Sequence, residues 1–324
     1  VATVSLVHLY KRPSHCSQRD DVSVASIAGS TVIFKDKAEF DRKRDLFVKG
    51  GNSKLQVISD FDYTLTKFFV DGHTRGASCH CLIEDSGFLS EEYRKQAKAL
   101  FHYYYPLEVS HALTITQKIP LMVEWVEKAH DLMLTSGLRK SQIKFAVAEA
   151  LQSKSLALRD GVPAFLKILD MENVPILLFS AGLGDVIEEV IDQQGGGITS
   201  HMHVVSNHMI FDNDKLVGFS EPTFHVFNKK ADAARHSPFF KRNDLIHREN
   251  LILLGDSLGD IAMSEGLHYK QDSIIRIGFL NDKVERLPSY LDAYDVVIVG
   301  DPNFDFPLAL VNDILAGDKI TSST

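Results

Sequence analysis

Three apolar runs in this chain each end in groups that can do chemistry. Leu55-Gln56-Val57-Ile58-Ser59 leads into Asp60-Phe61-Asp62-Tyr63-Thr64, and Val174-Pro175-Ile176-Leu177-Leu178-Phe179 leads into Ser180-Ala181-Gly182. Asn250-Leu251-Ile252-Leu253-Leu254 leads into Gly255-Asp256-Ser257-Leu258-Gly259-Asp260. Runs of this length, bounded by polar residues, read as buried strands of a parallel sheet. In open α/β sheets the reactive crevice lies outside the carboxyl ends of the strands. If the three strands are neighbours, Asp60, Asp62, Ser180, Asp256 and Asp260 converge there, and Lys229 could enter from the loop His225-Val226-Phe227-Asn228-Lys229-Lys230. Clustered carboxylates are costly unless a cation or a reaction uses them. Carboxylates, a hydroxyl, one ammonium and helix N-termini suit a phosphate held beside Mg2+, which prefers oxygen ligands. A set poor in histidine and thiolate argues against zinc.

The elements that must position these groups follow from pattern. Residues 1 to 30 mix Ser, Arg, Asp and His without a sustained period and read as a poorly ordered tail. Lys35 to Val48 suits an amphipathic helix that Gly50-Gly51-Asn52 ends. Gly72 to Gly87 reads as a loop, with His80 at its surface. Ser90 is a plausible N-cap for the helix that follows, and helical patterning returns in Pro120 to Leu134 and Lys140 to Leu151, separated by Gly137. No convincing strand lies between Phe69 and Asp160. From Val162 onward, helices alternate with apolar strands at 174–179, 250–254, 274–279 and 295–299, with shorter ones near 204–205 and 209–211 around an Asn207 turn. Alternation of this kind indicates a doubly wound parallel α/β sheet. The expected organisation is a tail at 1–30, a core at 31–72 and 160–318, and a helical insertion at 73–159.

Composition narrows the function classes. The chain has 324 residues, 44% apolar and 24% charged, the make-up of an ordinary globular protein. Its formal charge of -8 argues against bulk binding to nucleic acid or an anionic membrane. No apolar run reaches the length of a membrane span. Cys16, Cys79 and Cys81 are too few and too poorly spaced for a disulfide framework. Cys79-His80-Cys81 lacks a second Cys/His pair to complete a zinc site, so reduced thiols in a cytoplasmic protein are expected.

The motifs also resemble a known family. Asp60-Phe61-Asp62-Tyr63-Thr64, Phe179-Ser180-Ala181-Gly182, Lys229 and Gly255-Asp256-Ser257-Leu258-Gly259-Asp260 resemble, in order, the four motifs of the haloacid-dehalogenase-like phosphatases. Glu108-Val109, Met122-Val123-Glu124-Trp125, Phe179 through Asp185, Val205-Ser206-Asn207, His225 through Lys229 and Ile277 through Asp282 look like the cytosolic 5'-nucleotidase III (pyrimidine 5'-nucleotidase) family. The similarity runs from about Lys35 to Leu315.

That resemblance implies a Rossmann-like core with an inserted helical cap, and an Mg2+-dependent phosphatase acting on nucleoside 5'-monophosphates. Asp60 would be the nucleophile that forms an aspartyl-phosphate, and Asp62 the general acid and then base. Asp60, the Asp62 carbonyl and Asp256 would hold the metal. Thr64, Ser180, Lys229 and the Ala181 amide at a helix N-terminus would hold the phosphate, and Asp260 would support the metal's waters or orient Lys229. Glu108 would meet the base, on which Trp125 could stack if it is not simply cap core. Tyr103-Tyr104-Tyr105 would pack the cap helix. Pyrimidine monophosphates and 7-methylguanosine monophosphate are the leading substrates, and a monomer is expected. Phosphotransfer to a nucleoside acceptor, or nucleotide binding without turnover, are the competing readings. The second aspartate, Asp62, sets the chain apart from dehalogenases and cation-pumping ATPases.

Overall fold

The structure is a computed structural model and describes residues 22–321 apart from 28, 111, 231–236, 267 and 268. Leu55–Ser59 forms strand β3, buried along its whole length. Its side chains alternate between two apolar clusters: Val57 packs with Leu55, Phe165 and Val311, while Ile58 packs with Leu177, Leu251 and Tyr290. A strand that is apolar on both faces must sit inside a sheet covered on both sides. Among the described residues that sheet has eight strands: β1 (Ser23–Ile27), β2 (Ser30–Phe34), β3, β4 (Ile176–Leu183), β5 (Met202–Asn207), β8 (Asn250–Gly255), β9 (Ile274–Leu280) and β10 (Val296–Val299).

The spatial order is β1-β2-β10-β9-β8-β3-β4-β5. From β3 the chain winds outward through β4 and β5 on one side and through β8, β9 and β10 on the other, all parallel. The junction of β3 and β8 is therefore the point where the winding direction reverses, and a crevice opens outside the strand ends at such a point. Helices α1 (Lys37–Lys54), α6 (Val162–Met171) and α10 (Asp305–Thr321) cover one face. Helices α8 (Pro238–Arg242) and α9 (Leu287–Ala293) cover the other.

Two departures concern the N-terminal edge. Ser23–Ile27, expected within the tail, forms edge strand β1, antiparallel to β2 with Ser23 opposite Phe34. Its alternation of half-buried and exposed positions is too short and too polar to stand out from sequence. Strand β2 is itself antiparallel to β10, so the otherwise parallel sheet is mixed at this edge. The rest of the expected tail, residues 1–21, with Cys16, lies outside the described residues.

Between β3 and α6 lie α2 (Cys79–Glu84), α3 (Glu91–Glu108), α4 (Ile115–Thr135) and α5 (Lys140–Ser153), with no named strand among the described residues. Ser90 caps α3 by accepting the Tyr93 N–H at 3.1 Å, and Thr114 with Gln117 forms a capping box on α4. Gly137 turns the chain between α4 and α5 at φ +76°. The helices meet a two-stranded hairpin, β6 (Met209–Asp212) and β7 (Lys215–Phe219). Leu216 N–H donates to the Leu138 carbonyl at 3.1 Å, Lys140 N–H donates to Asp214 O at 2.9 Å, and the His130 ring stacks on Phe219 at 3.7 Å. None of the described helices is long and apolar enough to cross a membrane.

Candidate active site

Strand β3 stops one residue short of Asp60, whose N–H still donates to the Leu254 carbonyl on β8 at 3.0 Å. That last sheet bond aims the carboxylate across the β3–β8 crevice. Asp60 Oδ1 accepts the Lys229 ammonium at 2.5 Å, and Oδ2 accepts the Thr64 hydroxyl at 3.1 Å. Lys229 also donates to Asp260 Oδ1 at 2.9 Å. All of these side chains are buried, so the bonds form in a low dielectric where pairing matters most. Burial by itself would push the Lys229 ammonium down, but Asp260 and Asp60 outweigh it and hold it above the ordinary lysine range.

Asp62 does not reach the site by strand alternation. It lies in a turn that Tyr63 closes with φ +64°, and its Oδ1 accepts both the N–H (3.0 Å) and the thiol (3.2 Å) of Cys79. The segment Ser180-Ala181-Gly182 lies alongside, on a β-bulge of β4 where the register with β5 shifts between Phe179 and Leu183. A Cβ on Gly182 would come to 3.1 Å from Asp62 Oδ2, Cys79 Cβ and Ser180 Oγ, a tight fit in which those neighbours would have to give. Ser180 Oγ accepts the Gly182 N–H at 3.0 Å. Asn207, at the end of β5, donates to the Ala181 and Phe224 carbonyls at 2.9 and 3.0 Å. Ala181 was expected at a helix N-terminus. It lies inside β4, because pairing of Leu183 with Asn207 prolongs the strand and the next helix, α7 (Gly184–Val190), starts only after it.

The loop after β8 supplies Asp256 and Asp260. Asp260 Oδ2 accepts the N–H and the hydroxyl of Ser257, both at 2.9 Å, which caps the short 3-10 helix Leu258–Ser264. Asp60, Asp256 and Asp260 each bring one carboxylate oxygen within 4.8 Å of the others. Burial pushes the Asp60 carboxyl up to about 7 against the pull of Lys229, with the charges of Asp260 and Asp62 adding to the rise. Burial, then Asp60 and Asp260, drives Asp256 well above the usual carboxylate range. More negative charge is gathered here than Lys229 neutralises, and every donor is oxygen. The cluster therefore fits a hard divalent cation. Asp260 is committed to Lys229 and Ser257 and Asp60 to Lys229 and Thr64, which leaves Asp256 the least engaged carboxylate of the three.

Several residues that build the site carried no signal in the sequence. Arg159 is fully buried and donates to Thr64 O (2.8 Å), Tyr63 O, Asp301 Oδ1 and Asn281 Oδ1 (2.6 Å each) and Pro302 O (2.7 Å). It pins the turn that carries Asp62 and Thr64. Tyr290 donates to the Asp256 carbonyl at 2.5 Å and Tyr294 to the Ser257 carbonyl, bracing the second acidic loop from α9. Most of these partners are backbone carbonyls, which leave no trace in residue identity, and the two side chains, Asp301 and Asn281, lie more than 120 residues from Arg159 in sequence.

The helical insertion faces the same crevice. Burial raises the Glu108 carboxyl at the end of α3, opposed by the charges of Arg75, Lys118 and Lys229, so Glu108 lies within the field of Lys229. The Lys118 ammonium sits 5.7 Å above the Phe227 ring, on the loop that carries Lys229. Trp125 stacks on Tyr104 at 5.8 Å with 12° between planes, beside Phe101. Tyr104 is buried and Tyr103 is exposed. His80 is not a surface loop residue: it is half-buried on α2, and burial pushes its imidazole down to about 4. Cys79 and Cys81 are free thiols.

Comparison with known proteins supplies independent findings. Residues 63–315 match the family model described as Pyrimidine 5'-nucleotidase (UMPH-1). A 7-methylguanosine phosphate-specific 5'-nucleotidase A from Xenopus laevis is 41% identical over 287 residues, 88% of this chain and 94% of that protein. The Homo sapiens 7-methylguanosine phosphate-specific 5'-nucleotidase is 39% identical over 294 residues, 90% of this chain and 95% of that one. A crystal structure of cytosolic 5'-nucleotidase IIIB bound to cytidine superposes with TM-score 0.79 at 32% identity, covering 89% of this chain and 95% of that chain. A HAD family hydrolase from Salmonella enterica shares the fold at TM-score 0.51 and 15% identity, over 82% of this chain and 74% of its own.

Proposed function

Since this chain belongs to the pyrimidine 5'-nucleotidase family, we propose that it hydrolyses nucleoside 5'-monophosphates to nucleoside and phosphate, with 7-methylguanosine and pyrimidine monophosphates as substrates. The observation that carries this is the arrangement of Asp60, Lys229, Asp260 and Asp256 at the β3–β8 junction, with Asp62 held close by. A protein that only bound nucleotides would have no use for two carboxylates at positions 60 and 62.

In the first step an Asp60 oxygen attacks phosphorus, the P–O5' bond breaks, and Asp62 gives its proton to the leaving ribose oxygen. In the second, Asp62 takes a proton from water as that water attacks the aspartyl-phosphate and frees the Asp60 carboxylate. Splitting the reaction lets one carboxylate act as nucleophile while the other exchanges protons. Thr64, Ser180, the Ala181 amide and Lys229 hold the phosphoryl oxygens as charge shifts between them. Asp60, the Asp62 carbonyl and Asp256 would hold Mg2+, which when bound offsets the repulsion between an anionic nucleophile and an anionic phosphate. Asp260 orients Lys229.

Residues 73–159 form the cap of this reading, over a core that begins with β1 and comprises residues 23–72 and 160–318, in a cytoplasmic monomer. Glu108 accepts the N–H donors of the base, and Trp125, backed by Tyr104, supplies a stacking surface. Cytosine and 7-methylguanine both offer amino groups to a carboxylate.

Two tests follow. Thorough chelation should lower turnover by at least about 100-fold, and added Mg2+ should restore it. Full activity after chelation would remove the metal from the scheme. Glu108→Ala should lose about 10- to 100-fold in kcat/KM on 7-methylguanosine or cytidine monophosphate, the worth of a hydrogen bond to a charged group. The loss should fall on KM and on selectivity against adenosine monophosphate. An unchanged substrate profile would sink the role of Glu108.

A further inference from the structure

We infer that Cys79 is a positioning residue for the proton-transferring carboxylate. It fixes Asp62 through two bonds from one residue and makes the geometry of that carboxylate depend on how the helical insertion is seated. This rests on the reading of Asp62 as acid and base.

The bonding is one-sided. Both Cys79 donors, the N–H at 3.0 Å and the thiol at 3.2 Å, converge on Asp62 Oδ1. Oδ2 faces Gly182 and the Ser180 hydroxyl, where the phosphoryl group would sit and where a Cβ would intrude within 3.1 Å. One oxygen is thus anchored and the other is left to exchange the proton. A carboxylate can otherwise rotate about its terminal torsion, which is broad and nearly two-fold. Two donors on a single oxygen suppress that rotation.

Cys79 is fully buried and is tied to both parts of the molecule. It opens α2, which packs on β4 of the sheet and on α3 and α5 of the insertion. The residues before it are fastened on both sides. Gly76 N–H donates to Phe68 O at 2.8 Å, Tyr63 donates its hydroxyl to Gly76 O at 3.1 Å, and Ala77 N–H donates to Ser155 O at 2.8 Å. A shift of the insertion would therefore be felt at Asp62 through Cys79. The thiol keeps its own hydrogen throughout: the proton passes from Asp62 Oδ2 to the ribose oxygen and returns from water, and no bond to sulfur forms or breaks.

The experiment compares Cys79→Ser, which keeps a side-chain donor, with Cys79→Val, which keeps the volume and has no side-chain donor, the main-chain N–H remaining in every variant. Cys79→Ala serves as a second donorless variant should valine disturb the fold, and Asp62→Asn is run beside them. Each is checked by thermal melting and by steady-state kinetics on a nucleoside monophosphate with Mg2+. The donorless variant should lose about tenfold in kcat with KM within about twofold, a fraction of what acid–base catalysis contributes, and serine should recover most of the loss. Wild-type kcat in both donorless variants, a loss confined to KM, or serine no better than valine would each overturn the role of Cys79, provided Asp62→Asn is impaired. An unimpaired Asp62→Asn would instead overturn the acid–base reading beneath it.

Discussion

Asp60→Asn should abolish turnover, by at least about 10⁴-fold, while leaving the fold intact. The side chain keeps its size but loses the anionic oxygen that would attack phosphorus, and the covalent route has no substitute nucleophile at this position. The fold should tolerate the change for a specific reason. Lys229 retains Asp260 as a partner at 2.9 Å, so no buried ammonium is orphaned, and an amide oxygen can still accept from Thr64. Removing one carboxylate also relieves a cluster in which burial and mutual repulsion oppose ionisation. The check is phosphate release by purified variant and wild type with matched melting curves. Activity within tenfold of wild type, in a folded variant, would end the assignment of Asp60 as nucleophile.

Arg159→Met should cost about 3–5 kcal/mol in stability, read as a lower denaturant midpoint or a melting temperature down by roughly 10 °C. The guanidinium is fully buried and spends its donors on the carbonyls of Tyr63, Thr64 and Pro302 and on Asp301 and Asn281. Methionine would fill the stem but take a donor from three carbonyls and from Asp301, leaving Tyr63 O only the Asn281 amide and Asp301 only the Phe68 and Phe69 N–H groups. Lysine should rescue little, since a point charge cannot serve five acceptors spread around a planar fork. Because two of the carbonyls belong to the turn between Asp62 and Thr64, the variant should also lose activity at temperatures where it remains folded. A midpoint within about 1 kcal/mol of wild type would show that the bonds contribute little net stability.

The catalytic half of the molecule was legible because its physics is local. Apolar runs without a polar face can only be central strands, and a carboxylate at the end of such a strand needs a reason to be there. Asp60, Ser180 and Asp256 were found that way and Lys229 was expected from a loop; the structure brings Asp60, Asp256 and Lys229 together at the β3–β8 junction and sets Ser180 on β4 beside Gly182. What stayed hidden depends on partners distant in sequence. Arg159, Tyr290 and Tyr294 act on main-chain carbonyls, and nothing in the residues around them marks those contacts. The site of Ala181 was misjudged because a bulge, invisible in composition, carries β4 past its apparent end. Asp62 lies beyond the strand, in a turn with Tyr63 at positive φ, and it is Cys79 rather than strand geometry that orients the second carboxylate. Cys79 had been weighed only for a disulfide or a metal site and set aside for both as a reduced thiol.

The β6–β7 hairpin gives α4 a fulcrum. Its C-terminal end is held there by the His130–Phe219 stack and the Leu216–Leu138 bond, while its first turn, with Lys118, reaches the loop that carries Phe227 and Lys229. Twenty-one residues of helix separate the two ends, a lever about 30 Å long. A rotation of about 10° at the hairpin would carry the far end through about 5 Å on that length. Small changes in hairpin packing, remote from any substrate atom, would thus be magnified at the mouth of the site.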